Sequence, residues 1–143
     1  MQNECPIMLP VGASMLVGSI DLITWFGSRA LIVDYKTGGG DLDADAARAR
    51  YALQAGCYAL AALAAGATEV GVVFVEVERE GRETRFAFSG PDAPALRGPI
   101  DDALEEMAAG RFPSLAEYDP RVCAECPALG ATCPITPPGG PAA

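Results

Sequence analysis

Apolar residues fall in short runs broken by glycine and proline, apart from one long alanine-rich stretch in the middle of the chain. Glu4 to Leu9 reads as a short strand, which Pro6 confines to a sheet edge or a strand start. Pro10-Val11-Gly12-Ala13 is a turn. Met15 to Trp25 is rich in β-branched and apolar residues, Gly27-Ser28 interrupts it, and Ala30 to Lys36 predicts a second strand. Gly38-Gly39-Gly40 closes this run as a loop. The alanine-rich stretch predicts a helix from Asp45 to Ala65, capped by Asp43 or Asp45 and stopped by Gly66. Val70 to Val77 is a strongly apolar strand, and Glu80-Gly81 turns it into a partner over Thr84 to Phe88. A linker containing proline and glycine then leads to a short amphipathic helix from Ile100 to Ala109.

Strands, a helix, more strands and a helix predict an α/β (α+β) domain with a mixed central sheet flanked by helices. The core spans residues 1–110 and a cysteine-containing segment spans 111–134. The remainder, 135–143, is rich in proline and glycine and is expected to be a disordered tail.

Composition narrows the class. At 143 residues, half of them hydrophobic and a fifth charged, the chain suits one soluble globular domain. No stretch approaches the roughly 18 consecutive apolar residues of a membrane span. The N-terminus lacks the basic and apolar regions of a secretory signal, so no membrane association and a cytoplasmic location are expected. The net charge of −9 argues against a simple electrostatic nucleic-acid binder, whose surface is basic.

The first hairpin carries the most informative chemistry. With Gly27-Ser28 as a type II′ turn, Phe26 faces Arg29, Ile23 faces Ile32, Leu22 faces Val33 and Ile20 faces Tyr35. Asp21 then faces Asp34, with Cβ atoms roughly 4.5–5.5 Å apart, where like charges repel. Both faces of the hairpin are apolar, as in strands covered on both sides. Two carboxylates there need something positive between them, and a hard divalent cation fits. Lys36 lies two residues beyond Asp34, on the same face, and is the single lysine among ten cationic residues. Asp21, Asp34 and Lys36 could bind a metal, orient a water and stabilise phosphate charge. The plainer alternative is a buried ion pair between Lys36 and one aspartate.

These residues carry a family likeness. Gly18-Ser19-Ile20-Asp21 followed by Val33-Asp34-Tyr35-Lys36-Thr37-Gly38 resembles the motif pair of RecB-like PD-(D/E)XK nucleases. Tyr51-x-x-Gln54-x-x-x-Tyr58 resembles that family's glutamine- and tyrosine-bearing helix motif. By spacing alone, Tyr51, Gln54 and Tyr58 share a helix face and could be ordinary interfacial residues beside Leu53, Cys57 and Leu60. The run Gly110-Arg111-Phe112-Pro113, then Cys123-x-x-Cys126-Pro127 and Cys133-Pro134, resembles the iron–sulfur branch, which includes recombination helicase–nucleases and CRISPR-associated exonucleases.

The resemblance implies that Asp21, Asp34 and the Tyr35 carbonyl hold Mg²⁺ or Mn²⁺ and that Lys36 positions or activates the attacking water. It also implies that Gln54 supports the site, that Tyr58 contacts nucleic acid, and that DNA is the substrate. The family's first helix, with its acidic or histidine ligand, has no counterpart here, and the chain contains no histidine. Glu4, in the first strand, is expected to be structural. A fragment, a degenerate copy, or a domain completed by a helicase or another recombination or CRISPR protein would each explain this.

The spacing of Cys123, Cys126 and Cys133 is compatible with a metal site or with incidental cysteines. The resemblance favours a [4Fe–4S] cluster, with zinc as the alternative. Three thiolates leave either one a ligand short. Cys5 is a weak substitute, and Cys57 on the helix reads as a small core residue. The function expected is a metal-dependent DNA exonuclease-type phosphodiesterase acting in repair, recombination or CRISPR-type processing. The alternative is a catalytically silent module that binds DNA or a partner.

Overall fold

The apolar runs become five strands of one sheet, with two helices laid over one of its faces. The computed structural model describes residues 1–37, 42–78, 80–111, 117–123, 126–129, 133 and 135. In chain order these form β1 (Gln2–Val11), β2 (Ser14–Phe26), β3 (Arg29–Lys36), α1 (Ala44–Ala64), β4 (Glu69–Glu76) and β5 (Arg82–Ser89). A short 3₁₀ turn (Gly90–Asp92), α2 (Ala93–Ala108) and the four-residue α3 (Pro120–Cys123) follow. The strands lie side by side in sequence order, so β1 and β5 are the edges. β3 and β4, joined through α1, run parallel, and the other pairs are antiparallel, which makes the sheet mixed. This is the mixed-sheet α+β architecture expected of the sequence, and it is a restriction-endonuclease-like one.

Side-chain alternation explains why the helices cover one face. Along β3, Ala30, Ile32 and Asp34 are buried, while Leu31 and Val33 are half-buried and Tyr35 is 54% exposed. Their parallel partners Val70, Val72 and Phe74 on β4 are buried as well. Against them α1 turns Ala47, Tyr51, Ala55, Tyr58, Ala59 and Ala62, spaced three and four apart to form one stripe. The alanines let the helix approach closely, and Tyr51 stacks on Phe74 with ring centroids 4.7 Å apart. Fully burying a side chain such as Ile32 or Phe74 contributes about 1.5–3 kcal/mol.

Local signals set the ends of these elements. The Asp43 carboxylate accepts the Ala46 N–H at 2.8 Å and caps α1. At the other end Ala67 N–H reaches the Ala62 carbonyl and Gly66 N–H reaches the Leu63 carbonyl, the paired bonds of a glycine-terminated helix. Gly66 makes this possible with φ of 102°. α2 closes on the same pattern through Gly110 and Arg111.

Two expectations need correction. The segment read as a linker is helical from Ala93, so α2 starts seven residues before Ile100 and carries Pro99 inside it. Proline there removes a helix hydrogen bond, but Leu96 packs on the core and Ile100 joins Leu9, Val11 and Leu60 in a second apolar cluster. Tertiary burial thus outweighs local propensity. The hairpin turned at Gly27-Ser28 is also not covered on both faces: Met15, Val17 and Tyr35 are exposed on the side away from α1. The expected Gly38-Gly39-Gly40 loop and the tail over 135–143 lie outside the described residues, apart from Ile135.

Candidate active site

β2 breaks its alternation where the chemistry lies. Ile20 and Ile23, three apart, are both buried in the core under α1, so the strand changes face between them. Pairing of β2 with β3 follows the expected register from Phe26–Arg29 to Leu22–Val33 and ends there. Asp21 is therefore not a ladder partner of Asp34. Its carboxylate instead accepts the backbone N–H of Tyr35, the residue after Asp34, at 2.8 Å. The β1 strand is irregular at the matching point, where Glu4 takes a left-handed φ of 49° and is exposed.

Asp34, 4% exposed, sits near the carboxyl end of β3 beneath α1. Lys36 Nζ lies 2.6 Å from its Oδ1, an ion pair without hydrogen-bond alignment, so Oδ1 has no hydrogen-bond donor. Its Oδ2 is held by the Tyr58 hydroxyl at 2.7 Å and, more weakly, by the Gln54 amide at 3.3 Å. Gln54 also accepts from Lys36 Nζ at 2.9 Å and donates to the Tyr58 hydroxyl at 2.7 Å. The helix thus grips both members of the ion pair. Below the ammonium lie the rings of Phe74 and Tyr51, with centroids at 5.2 and 5.7 Å, which favour a cation over their faces.

Burial and hydrogen bonding to the Asp34 carboxylate hold the Tyr58 phenol protonated far above its ordinary range. Tyr51 shifts the same way, first through burial and then through the negative charge of Glu76. Tyr58 therefore acts as a neutral donor to the Asp34 carboxylate.

A family model described as the PD-(D/E)XK nuclease superfamily matches residues 3–134, nearly the whole chain. The chain belongs to this superfamily. A solved structure described as the crystal structure of SSO0001 matches over 89% of this chain and 60% of its own, with a TM-score of 0.50 and 16% identity. At that identity it supports the fold alone, and this chain spans about three fifths of its length. No curated protein sequence matches the chain.

The residue types suit the metal that PD-(D/E)XK chemistry implies. Asp34 has a buried oxygen without a hydrogen-bond donor, and Asp21, half-buried, commits one oxygen to Tyr35 N–H. Oxygen donors of this kind suit Mg²⁺ or Mn²⁺. Among the described residues no three His, Cys, Asp or Glu side chains gather into a metal-holding group. The two aspartates would therefore need backbone, water or phosphate oxygens to complete a coordination shell. The plainer reading of the sequence, an Asp34–Lys36 ion pair, is present in the structure and uses the same Oδ1, so a metal there would share that oxygen with the ammonium and draw on Asp21 beside it.

The structure brings Asp34, Lys36, Gln54 and Tyr58 into one network and puts Asp21 beside it. The expected contact of Tyr58 with nucleic acid does not fit its placement: it is 5% exposed, and its hydroxyl is held among Asp34, Gln54 and the Ser19 carbonyl. Cys123 is buried, and Cys126 and Cys133 are half-buried in a turn-rich segment where Cys126 N–H bonds the Cys123 carbonyl. Cys57 is half-buried against the second apolar cluster, and burial raises its thiol pKa.

Sequence reasoning missed Glu76 and Arg82. Glu76 is 4% exposed, pairs in register with Lys36 across β3 and β4, and accepts Arg82 Nε and Nη2 at 3.1 and 2.7 Å. In the sequence, Glu76 looks like an apolar strand reaching water. Its burial follows only from the parallel register of β3 with β4.

Proposed function

We propose that this domain is a metal-dependent DNA phosphodiesterase of exonuclease type, working through Asp21, Asp34 and Lys36. The observation that carries the reading is the Asp34 carboxylate, buried with one oxygen lacking a hydrogen-bond donor and paired at 2.6 Å with the chain's single lysine. Asp21, Asp34 and the Tyr35 carbonyl would hold Mg²⁺ or Mn²⁺, which when bound supplies Lewis-acid stabilisation of phosphate charge. Lys36 orients a water toward the scissile phosphate and stabilises the charge that develops there. Gln54 fixes the ammonium relative to Asp34, and Tyr58 locks the carboxylate by donating to its far oxygen.

The motif order and the cysteine spacing support the finer placement in the RecB-like iron–sulfur branch, with roles in DNA repair, recombination or CRISPR-type processing. The superfamily match extends through Cys133, consistent with the cysteine segment belonging to the domain. In this reading Cys123, Cys126 and Cys133, which are not gathered into one group among the described residues, would be drawn together as three ligands of a [4Fe–4S] cluster, or of zinc, that fastens the segment 111–134 to the core over 1–110. The domain acts in the cytoplasm on DNA, with a helicase or another recombination or CRISPR protein as its partner.

A second reading is a catalytically silent DNA- or partner-binding module. The charge of −9 and the lack of a third ligating side chain beside Asp21 and Asp34 among the described residues favour it. Cleavage of end-labelled single- and double-stranded DNA by the anaerobically purified chain with Mg²⁺ or Mn²⁺, beside Lys36→Ala, separates the two. Cleavage that disappears in the variant supports the nuclease. Binding without cleavage in either metal supports the silent module.

A further inference from the structure

Three charged side chains line up across the sheet next to the site. Lys36 on β3 pairs in register with Glu76 on β4, and Glu76 pairs with Arg82 on β5. Positions in one row share a face, so plus, minus and plus alternate along the carboxyl ends of the two parallel strands, where ligands of open sheets bind. Glu76 is buried, whereas the Arg82 side chain is 35% exposed. Both bonds from Arg82 fall on one oxygen of Glu76. They use two of the five N–H donors of a guanidinium and leave the others for a further acceptor.

We propose that Arg82, held by the buried Glu76, is a backbone-phosphate contact that positions a nucleic-acid strand beside Lys36. The inference rests on the phosphodiesterase reading and adds the strand-positioning group that reading lacks. A pair that merely closed the β4–β5 hairpin would serve as well with its carboxylate in water. Burying that carboxylate is costly without a partner and fixes the guanidinium in one place. Two strand spacings of about 4.8 Å separate the backbones of Arg82 and Lys36, so a long arginine side chain can reach a phosphate flanking one attacked near Lys36.

The rest of the chain makes this cation conspicuous. In a molecule of net charge −9, Arg48 lies over Phe86 and donates to the Arg85 carbonyl, Arg97 donates to the Pro10 carbonyl, and Arg111 is held by Glu106. Arg82 therefore offers a partly exposed guanidinium in the same cross-strand row as Lys36, in a chain that is acidic as a whole. The planar guanidinium fork also matches phosphate geometry better than an ammonium does.

The test is anisotropy of a fluorescein-labelled single-stranded oligodeoxynucleotide titrated with the full chain, with Ca²⁺ in place of Mg²⁺, over a range of salt concentrations. Arg82→Gln should weaken binding by roughly 3- to 10-fold and lower the slope of log affinity against log salt by about one. Glu76→Gln, which keeps the arginine but loosens it, should give a smaller loss with the slope retained. Under cleavage conditions Arg82→Gln should raise KM and leave kcat nearly unchanged. If Arg82→Gln loses helix content by circular dichroism, Arg82→Lys replaces it and should keep the salt slope while losing part of the affinity. A parent that binds, with unchanged affinity in the Arg82 variants, overturns the assignment and leaves the nuclease reading standing. A parent that binds no oligodeoxynucleotide overturns both.

Discussion

Two acid–base pairs stand one strand apart at the same end of the sheet, and they are built differently. Asp34–Lys36 is closed in by Gln54 and Tyr58 from α1 and by the rings of Phe74 and Tyr51, and 23% of the lysine side chain is exposed. Glu76–Arg82 has an equally buried carboxylate, but its cation is on the edge strand and 35% exposed. The inner pair is braced from three directions and has a compact, single-point cation. The outer pair has a fork that opens to solvent. Bracing suits a group that must meet a reacting atom, and openness suits a group that must catch a flexible strand.

Breaking the inner pair should have the largest effect. Lys36→Ala should lower DNA cleavage by about 100-fold or more. It should also cost about 1–3 kcal/mol of stability, because the buried Asp34 carboxylate loses its counter-charge. Urea denaturation beside the cleavage assay measures both. By contrast, the outer Arg82→Gln should spare the chemical step and weaken binding. If the two variants behaved alike, the pairs would not have distinct roles.

Gln54→Ala removes the amide that ties Lys36 to Asp34 and Tyr58 while leaving both charges in place. Cleavage should fall by about 10-fold, as for other groups that orient a ligand rather than act as one. The loss should appear mainly in kcat, and an unchanged rate would make the helix contact ornamental.

Tyr58→Phe is the mildest change, with a cost of about 1–2 kcal/mol from the lost bond to Asp34. It also has a pH signature. The Tyr58 phenol titrates in the folded chain well above its ordinary value of 10.0. Its contribution to stability is complete below that value, where both states are protonated, and is lost as the pH rises through the folded pKa. Stability of the parent should therefore fall above pH 10, and Tyr58→Phe should flatten that fall. Some slope should remain, because Tyr51 is shifted in the same direction.

Much of the fold was legible because strand and helix periods differ and the turns carry glycine. The order of elements, the Gly27-Ser28 turn and the register from Leu22 to Phe26 follow from local pattern. The site was legible less evenly. Asp34, Lys36, Gln54 and Tyr58 lie two residues apart on a strand or four apart on a helix, so local geometry groups each pair, and the motif order then links strand to helix. The change of face between Ile20 and Ile23 was not legible, because both flanks are apolar and the break in alternation leaves no residue signature there. Nor was the burial of Glu76, which depends on a parallel pairing across a crossover of more than thirty residues between β3 and β4. Pro99 concealed the first half of α2, because its local cost is offset by tertiary packing.

The central claim is that Asp34 belongs to a metal site and not only to an ion pair. Isothermal titration of Mn²⁺ into the parent chain and into Asp34→Ala tests it most directly, with circular dichroism to confirm that the variant folds. A metal site at Asp34 gives saturable binding by the parent and an affinity at least about 10-fold weaker in the variant. Equal Mn²⁺ binding by both chains would contradict it and leave Asp34–Lys36 as a structural ion pair.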